Sequence, residues 1–255
     1  MIQKFLFFLL LASLSSVVAR PLPNVLWIVV EDQSKHYGFN GEALVKTPVL
    51  DKLCKDGVRF ANASVTAPVC STARSALITG LFQTSIGAHH HRSGRGELKI
   101  QKPAHVKLIP ELFKEAGYYT CLGTIGHVAG TINPKHKSRL GKSDYNFEWD
   151  PAVFDAGEWS GRKKGQPFFA KICLSGGKAR SQARSSKGIP HVEASKVALP
   201  PYYPRHPEVL EDWAAYLDTF SLADIQVGQI VDRLQKEGEF ENTVLFFITD
   251  HGVSH

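Results

Sequence analysis

The chain has 255 residues, 43% of them hydrophobic and 21% charged, with a formal net charge of +6. That balance excludes a disordered or fibrous polypeptide and leaves ample length for one packed core. Four cysteines, at 54, 70, 121 and 173, are too sparse for a disulfide framework.

In chain order, residues 1–19 read as a secretory signal peptide: Lys4, the apolar run Phe5 to Leu11, then small residues ending at Ala19. The apolar core is short for a bilayer span, and no later stretch is apolar enough, so stable membrane insertion is not expected. The mature chain, 20–255, is expected to be exported: secreted or periplasmic, or lysosomal in a eukaryotic host.

Asn24 to Val30 is an unbroken apolar run, as in a strand buried on both faces of a parallel sheet. A helix follows from Pro48, with Thr47 as cap, to near Gly57. Val58-Arg59-Phe60 reads as a short strand. Pro68 to Leu77 opens a helix stopped by Gly80, with Thr66, Pro68, Ser71 and Thr72 supplying turn and cap chemistry. Leu108 to Ala116 is helical, and Tyr118 to Leu122 and Pro167 to Cys173 are strands. Leu210 to Lys236 is a long amphipathic helix, and Val244 to Thr249 is the last strand. Alternating strands and helices predict an α/β sandwich with a mainly parallel sheet flanked by helices. Segments 123–165 and 175–206 read as long loops on the active side.

Two strands run directly into acid pairs: Glu31-Asp32 after the first, and Asp250-His251 after the last. In such sheets ligands bind beyond the carboxyl ends of the strands, and converging carboxylates there call for a cation. Cys70 stands at a helix N-terminus, where free backbone N–H groups favour a thiolate or bound oxyanion, and Arg74 returns to the same face one turn later. The basic runs Arg162-Lys163-Lys164 and Lys178 to Lys187 suit either solvated loops or a polyanionic partner. Without interleaved aromatics, nucleic acid is not the expected partner.

Cys70-Ser71-Thr72-Ala73-Arg74 followed by Ser75-Ala76-Leu77-Ile78-Thr79-Gly80 resembles the signature of the type I sulfatases, with Thr72 where that family has Pro and Ala73 where it often has Ser. The resemblance runs from Pro23 to His255. It implies an alkaline-phosphatase-like fold, and oxidation of Cys70 to formylglycine by a formylglycine-generating maturation enzyme. It also implies a cation, Ca²⁺ first and Mg²⁺ or Zn²⁺ next, held by Glu31, Asp32, Cys70, Asp250 and His251. The family's Gly-Lys-x-His element is similar to Gly141-Lys142-Ser143-Asp144, preferred over Gly126-His127, so Lys142 is assigned to the sulfate. Lys178 stands nearest to where members carry a leaving-group histidine. His89-His90-His91 is left outside the catalytic set.

The implied activity is sulfuric ester hydrolysis on a sulfated carbohydrate, with Cys70, Arg74, Lys142 and Lys178 as catalytic residues. A phosphoesterase of the same superfamily and a non-catalytic carbohydrate-binding remnant are the alternatives. Members of the family continue well past the position of His255, so 20–255 is expected to be the N-terminal part of a catalytic domain that is incomplete at its C-terminus.

Overall fold

The computed structural model describes residues 21–93, 96–97, 99–135 and 140–253; the leader assigned to 1–19 lies outside them. Four strands, β1 (Asn24–Val30), β2 (Tyr119–Thr124), β3 (Phe168–Leu174) and β4 (Thr243–Thr249), form one sheet in the order β2-β3-β1-β4. Every pairing is parallel. β3 is buried along its whole length and β1 nearly so, as their near-continuous apolar sequences require. β4 is the edge strand in this sheet, and its alternating residues are more exposed.

The sheet is covered on both faces. Leu26, Ile28, Val30, Ala170 and Ile172 pack against Trp213, Tyr216 and Phe220 of the long helix Pro207–Lys236. Opposite lie Phe169, Cys173, Leu122, Ile78, Tyr145 and Phe147, the side occupied by helix Cys70–Thr79. This is the expected α/β sandwich.

Two local expectations fail. Val58-Arg59-Phe60 joins no sheet; Val58 is 82% and Phe60 74% exposed. Without a neighbouring strand to accept its backbone groups, the segment forms no ladder. The signature helix also begins without a side-chain cap, its N-cap being Val69. Ser71, expected to cap, instead bonds His91 Nδ1 at 2.9 Å and accepts from the Arg92 backbone N–H.

The helix Cys70–Thr79 is buried almost all round. Ser71, Ala73, Ser75 and Ala76 are small enough to let other segments approach closely. The Ser75 hydroxyl donates to the Ser71 carbonyl and accepts from the Asn146 backbone N–H. Segment 141–149 is thereby stitched to the helix that carries Cys70.

Much of the basic run is structural. Arg180 Nε pairs with Asp212 at 3.0 Å and Arg184 with the buried Asp218 at 3.1 Å. Arg162 meets Glu239. Among the described residues no helix is long and apolar enough to cross a membrane, and all four cysteines are free.

Candidate active site

Register brings the strand ends together: Val30 pairs with Leu174 on one side and Thr249 on the other. The residues that follow therefore emerge side by side. The Asp250 backbone N–H donates to the Val30 carbonyl, and the Asp32 N–H to Asp250 Oδ1 at 3.1 Å. Asp32 holds a left-handed backbone, φ +51°, which is unusual for a non-glycine residue and turns its side chain away from that of Glu31.

The Asp32 carboxylate, Cys70 Sγ, the Asp250 carboxylate and the His251 imidazole are buried, and their ligand atoms lie within 4.8 Å of one another. His251 Nε2 is 3.0 Å from Cys70 Sγ and 3.1 Å from Asp32 Oδ1. His251 Nδ1 lies 2.7 Å from the Gly252 carbonyl, which places the proton on Nδ1 and leaves Nε2 facing the cluster. That arrangement recurs in metal-ligating histidines. Two carboxylates, one oriented imidazole and the group at position 70 thus fit one divalent cation. Burial works against charge on His251, but Asp32 and Cys70 outweigh it and hold its pKa at about 9, so at neutral pH Nε2 also carries a proton, which a cation would have to displace.

Glu31, expected among the cation's ligands, stands outside this cluster. Lys142 Nζ lies 2.6 Å and Lys178 Nζ 3.0 Å from its Oε2, while Arg74 Nη2 is 3.6 Å from Oε1. Three cations surround this carboxylate and hold it on the other side of the site.

Close backbone contacts deliver both lysines. A Cβ at Gly177 would sit 2.3 Å from the Asp32 carbonyl oxygen, so the turn that presents Lys178 rests on the backbone after β1. At Gly141 a Cβ would sit 2.2 Å from the Gly123 carbonyl oxygen, and this contact brings Lys142 to the end of β2. Lys178 also reaches Cys70 Sγ at 3.3 Å and Asp32 at 3.4 Å. Burial opposes its charge, but the bond to Glu31 prevails and its pKa is raised.

Arg74 is fully buried. Its Nη2 donates to Asp250 Oδ2 at 2.9 Å, and Nε lies 3.8 Å from Asp144. Burial disfavours the guanidinium charge, but Cys173, Asp250, Glu31 and Asp144 overcome it and its pKa is raised. Arg74 therefore lies beneath the site, tied to Asp250, and not open on the face of Cys70 as the helical spacing suggested.

Sequence reasoning did not single out Asp144, which lies near both Arg74 and Lys142, or Cys173, 3.7 Å from Arg74 Nη1. Only their proximity to Lys142 and to the end of β3 hinted at them. His127, from the rejected alignment, bonds Thr124 through Nδ1 and closes the turn after β2.

Similarity to known proteins agrees with this geometry. The chain is 28% identical to an ulvan-active sulfatase of Formosa agariphila over 90% of its own length and 44% of that protein's. It spans about half the length of the curated relatives it matches. Among solved structures it superposes on a 2-O GAG sulfatase with a TM-score of 0.63 at 16% identity, covering 90% of this chain and 58% of that one. For the phosphonate monoester hydrolase of Agrobacterium radiobacter the TM-score is 0.57 at 17% identity, with 90% and 62% covered. These two likenesses establish the alkaline-phosphatase-like fold. The profile of the Sulfatase family matches residues 23–255, taking in both acid pairs and the cysteine between them, and the chain belongs to that family.

Proposed function

We propose that this chain carries the catalytic centre of an exported hydrolase that removes sulfate from a sulfated carbohydrate. The placement of Cys70 carries the reading: it opens a buried helix 3.0 Å from His251 and 3.3 Å from Lys178, between the carboxylate cluster and the two lysines. The sulfatase relatives, one of them ulvan-active, support sulfate esters of carbohydrates as the substrate class.

Formylglycine at position 70, made from Cys70 by a maturation enzyme, would supply the hydroxyl nucleophile, and a cation among Asp32, Asp250 and His251 would supply a Lewis acid. The donor set, two carboxylates and an imidazole, lies between the all-oxygen set suited to Ca²⁺ and the nitrogen-rich set suited to Zn²⁺. In the net reaction, water is consumed, the bond between sulfur and the ester oxygen breaks, and the alcohol leaves with a proton. Lys142 and Lys178 bind the sulfate oxygens. Glu31 holds both in place. Arg74 offsets the charge of Asp250 from below.

Mass spectrometry of the tryptic peptide Phe60–Arg74 tests the reading, together with turnover of 4-nitrophenyl sulfate. Formylglycine at 70 with turnover is expected; an unmodified cysteine without turnover overturns it. His251 beside two aspartates also suits phosphate esters, so 4-nitrophenyl phosphate is assayed in parallel. Preference for phosphate would favour the phosphoesterase.

A further inference from the structure

Position 70 has two chemical forms, and they make different metal sites. Before conversion, Cys70 Sγ lies with the Asp32 and Asp250 carboxylates and the His251 imidazole, all buried and with their ligand atoms within 4.8 Å of one another. The chain delivers them from separate places: the turn after β1, the start of helix Cys70–Thr79 and the turn after β4. One sulfur, one nitrogen and two carboxylates make a closed donor set of the number and softness that a structural Zn²⁺ takes. Ca²⁺ prefers a larger shell made of oxygens alone.

The donors are held from behind. His251 Nδ1 lies against the Gly252 carbonyl, so Nε2 is the atom aimed inward, 3.0 Å from Sγ and 3.1 Å from Asp32 Oδ1. Asp250 Oδ1 accepts from the Asp32 and His251 backbone N–H groups, and its Oδ2 accepts from Arg74 at 2.9 Å. Outer contacts of this kind fix ligand orientation and raise affinity. Two carboxylates and a thiolate outweigh the charge of a divalent cation, and Arg74 and Lys178 stand beside them to offset the excess. Lys178 Nζ comes within 3.3 Å of Sγ, but its side chain is 43% exposed and has room to swing out. Binding sends the protons of the thiol and of His251 Nε2 to solvent.

Conversion removes the sulfur. Formylglycine offers only oxygen at position 70, and the soft ligand that distinguishes Zn²⁺ from harder cations is lost. We infer that unconverted Cys70 completes a four-ligand Zn²⁺ site with Asp32, Asp250 and His251, and that replacing its sulfur by oxygen gives up the preference for Zn²⁺. The group at position 70 thereby selects the metal. The Zn²⁺ site needs only these four residues, whereas its loss on conversion rests on the proposed hydrolase reading.

The test uses protein with unconverted Cys70, verified by mass spectrometry of the Phe60–Arg74 peptide, stripped of metal and titrated with Zn²⁺ against a chromophoric chelator. One Zn²⁺ per chain is expected, and excess Ca²⁺ is expected to leave it in place. Cys70→Ser puts oxygen where the sulfur was. It is expected to bind Zn²⁺ at least about 100-fold more weakly, since losing a ligand should cost no less than losing an outer-shell partner. Co²⁺ in place of Zn²⁺ reads the sulfur directly in the unaltered protein, through the near-ultraviolet charge-transfer band of a cobalt–thiolate bond. That band is expected with Cys70 and is expected to vanish in Cys70→Ser, which assigns it to this cysteine and not to Cys54, Cys121 or Cys173. No such band, a band that persists in Cys70→Ser, equal Zn²⁺ affinity in the two proteins, or displacement of Zn²⁺ by Ca²⁺ overturns the site. Turnover of 4-nitrophenyl sulfate is read separately on converted protein. Its absence, with the Zn²⁺ and Co²⁺ results as expected, would remove the hydrolase reading and leave the metal site standing.

Discussion

The two halves of the site, a few ångströms apart, are built on opposite principles. On the β4 side, Asp32, Asp250 and His251 gather with Cys70 and attract positive charge. On the β3 side, Lys142 and Lys178 flank Glu31 and attract an anion. Glu31 and Asp32 are neighbours in sequence yet stand in different halves. A pair of acids at a strand end is therefore not a pair of ligands by default; the local backbone and the cations within reach assign each one.

The largest effect expected across that division is at position 70, where both halves meet. Cys70→Ala should lower turnover by about a thousandfold or more, as for loss of a nucleophile. The melting temperature should hardly move, since the change removes one sulfur. Substantial turnover by this variant would show that the halves serve something other than nucleophilic attack.

Asp250 belongs to the cation half and also pairs with Arg74. Asp250→Asn should lose bound metal, read by plasma mass spectrometry. It should also lose about 3 kcal/mol of stability in denaturant unfolding, because a buried guanidinium forfeits its charged partner. Asp32→Asn should lose the metal with a smaller stability change.

The anion half responds differently. Lys142→Met should lower kcat/KM for aryl sulfate by roughly 10- to 100-fold, the loss of one charge-assisted contact, with metal content unchanged. Glu31→Gln should do the same more mildly by releasing both lysines. Loss of metal in Glu31→Gln would place Glu31 among the ligands after all and erase the division.

Much of this was legible in the chain because buried parallel strands leave a plain trace. The apolar runs at 24–30 and 243–249 end at the acids, and register then makes the convergence unavoidable. Cys70 was legible from its place at a helix start. The separation of Glu31 from Asp32 was not, because it depends on a left-handed backbone at Asp32 and on two lysines more than a hundred residues away. Lys142 and Lys178 stood out only through family resemblance. In retrospect the Gly before each marks a backbone contact that no side chain would permit. The position of Arg74 beneath the site was not legible for a related reason. Helical spacing fixes the side of the helix, whereas a long side chain follows its charges, here down to Asp250.

Lys171 gives the smallest effect and probes the floor beneath the anion half. It interrupts the apolar run of β3, is fully buried, and supports Tyr145. Burial is the main cause of its low pKa, about 8 against 10.5 for an ordinary lysine. Between those values the unfolded chain binds a proton that the folded one has released, so stability rises with pH from about 8 to 10.5. Below pH 8 both states are protonated and the slope vanishes. The full gain is roughly 3 kcal/mol at most. Lys171→Met should lack this rise, and the difference between the two unfolding curves from pH 7.5 to 10 isolates it from other alkaline titrations. Parallel curves would mean that Lys171 keeps its proton in the fold, with Asp144 and Asp250 supplying enough negative charge to hold it.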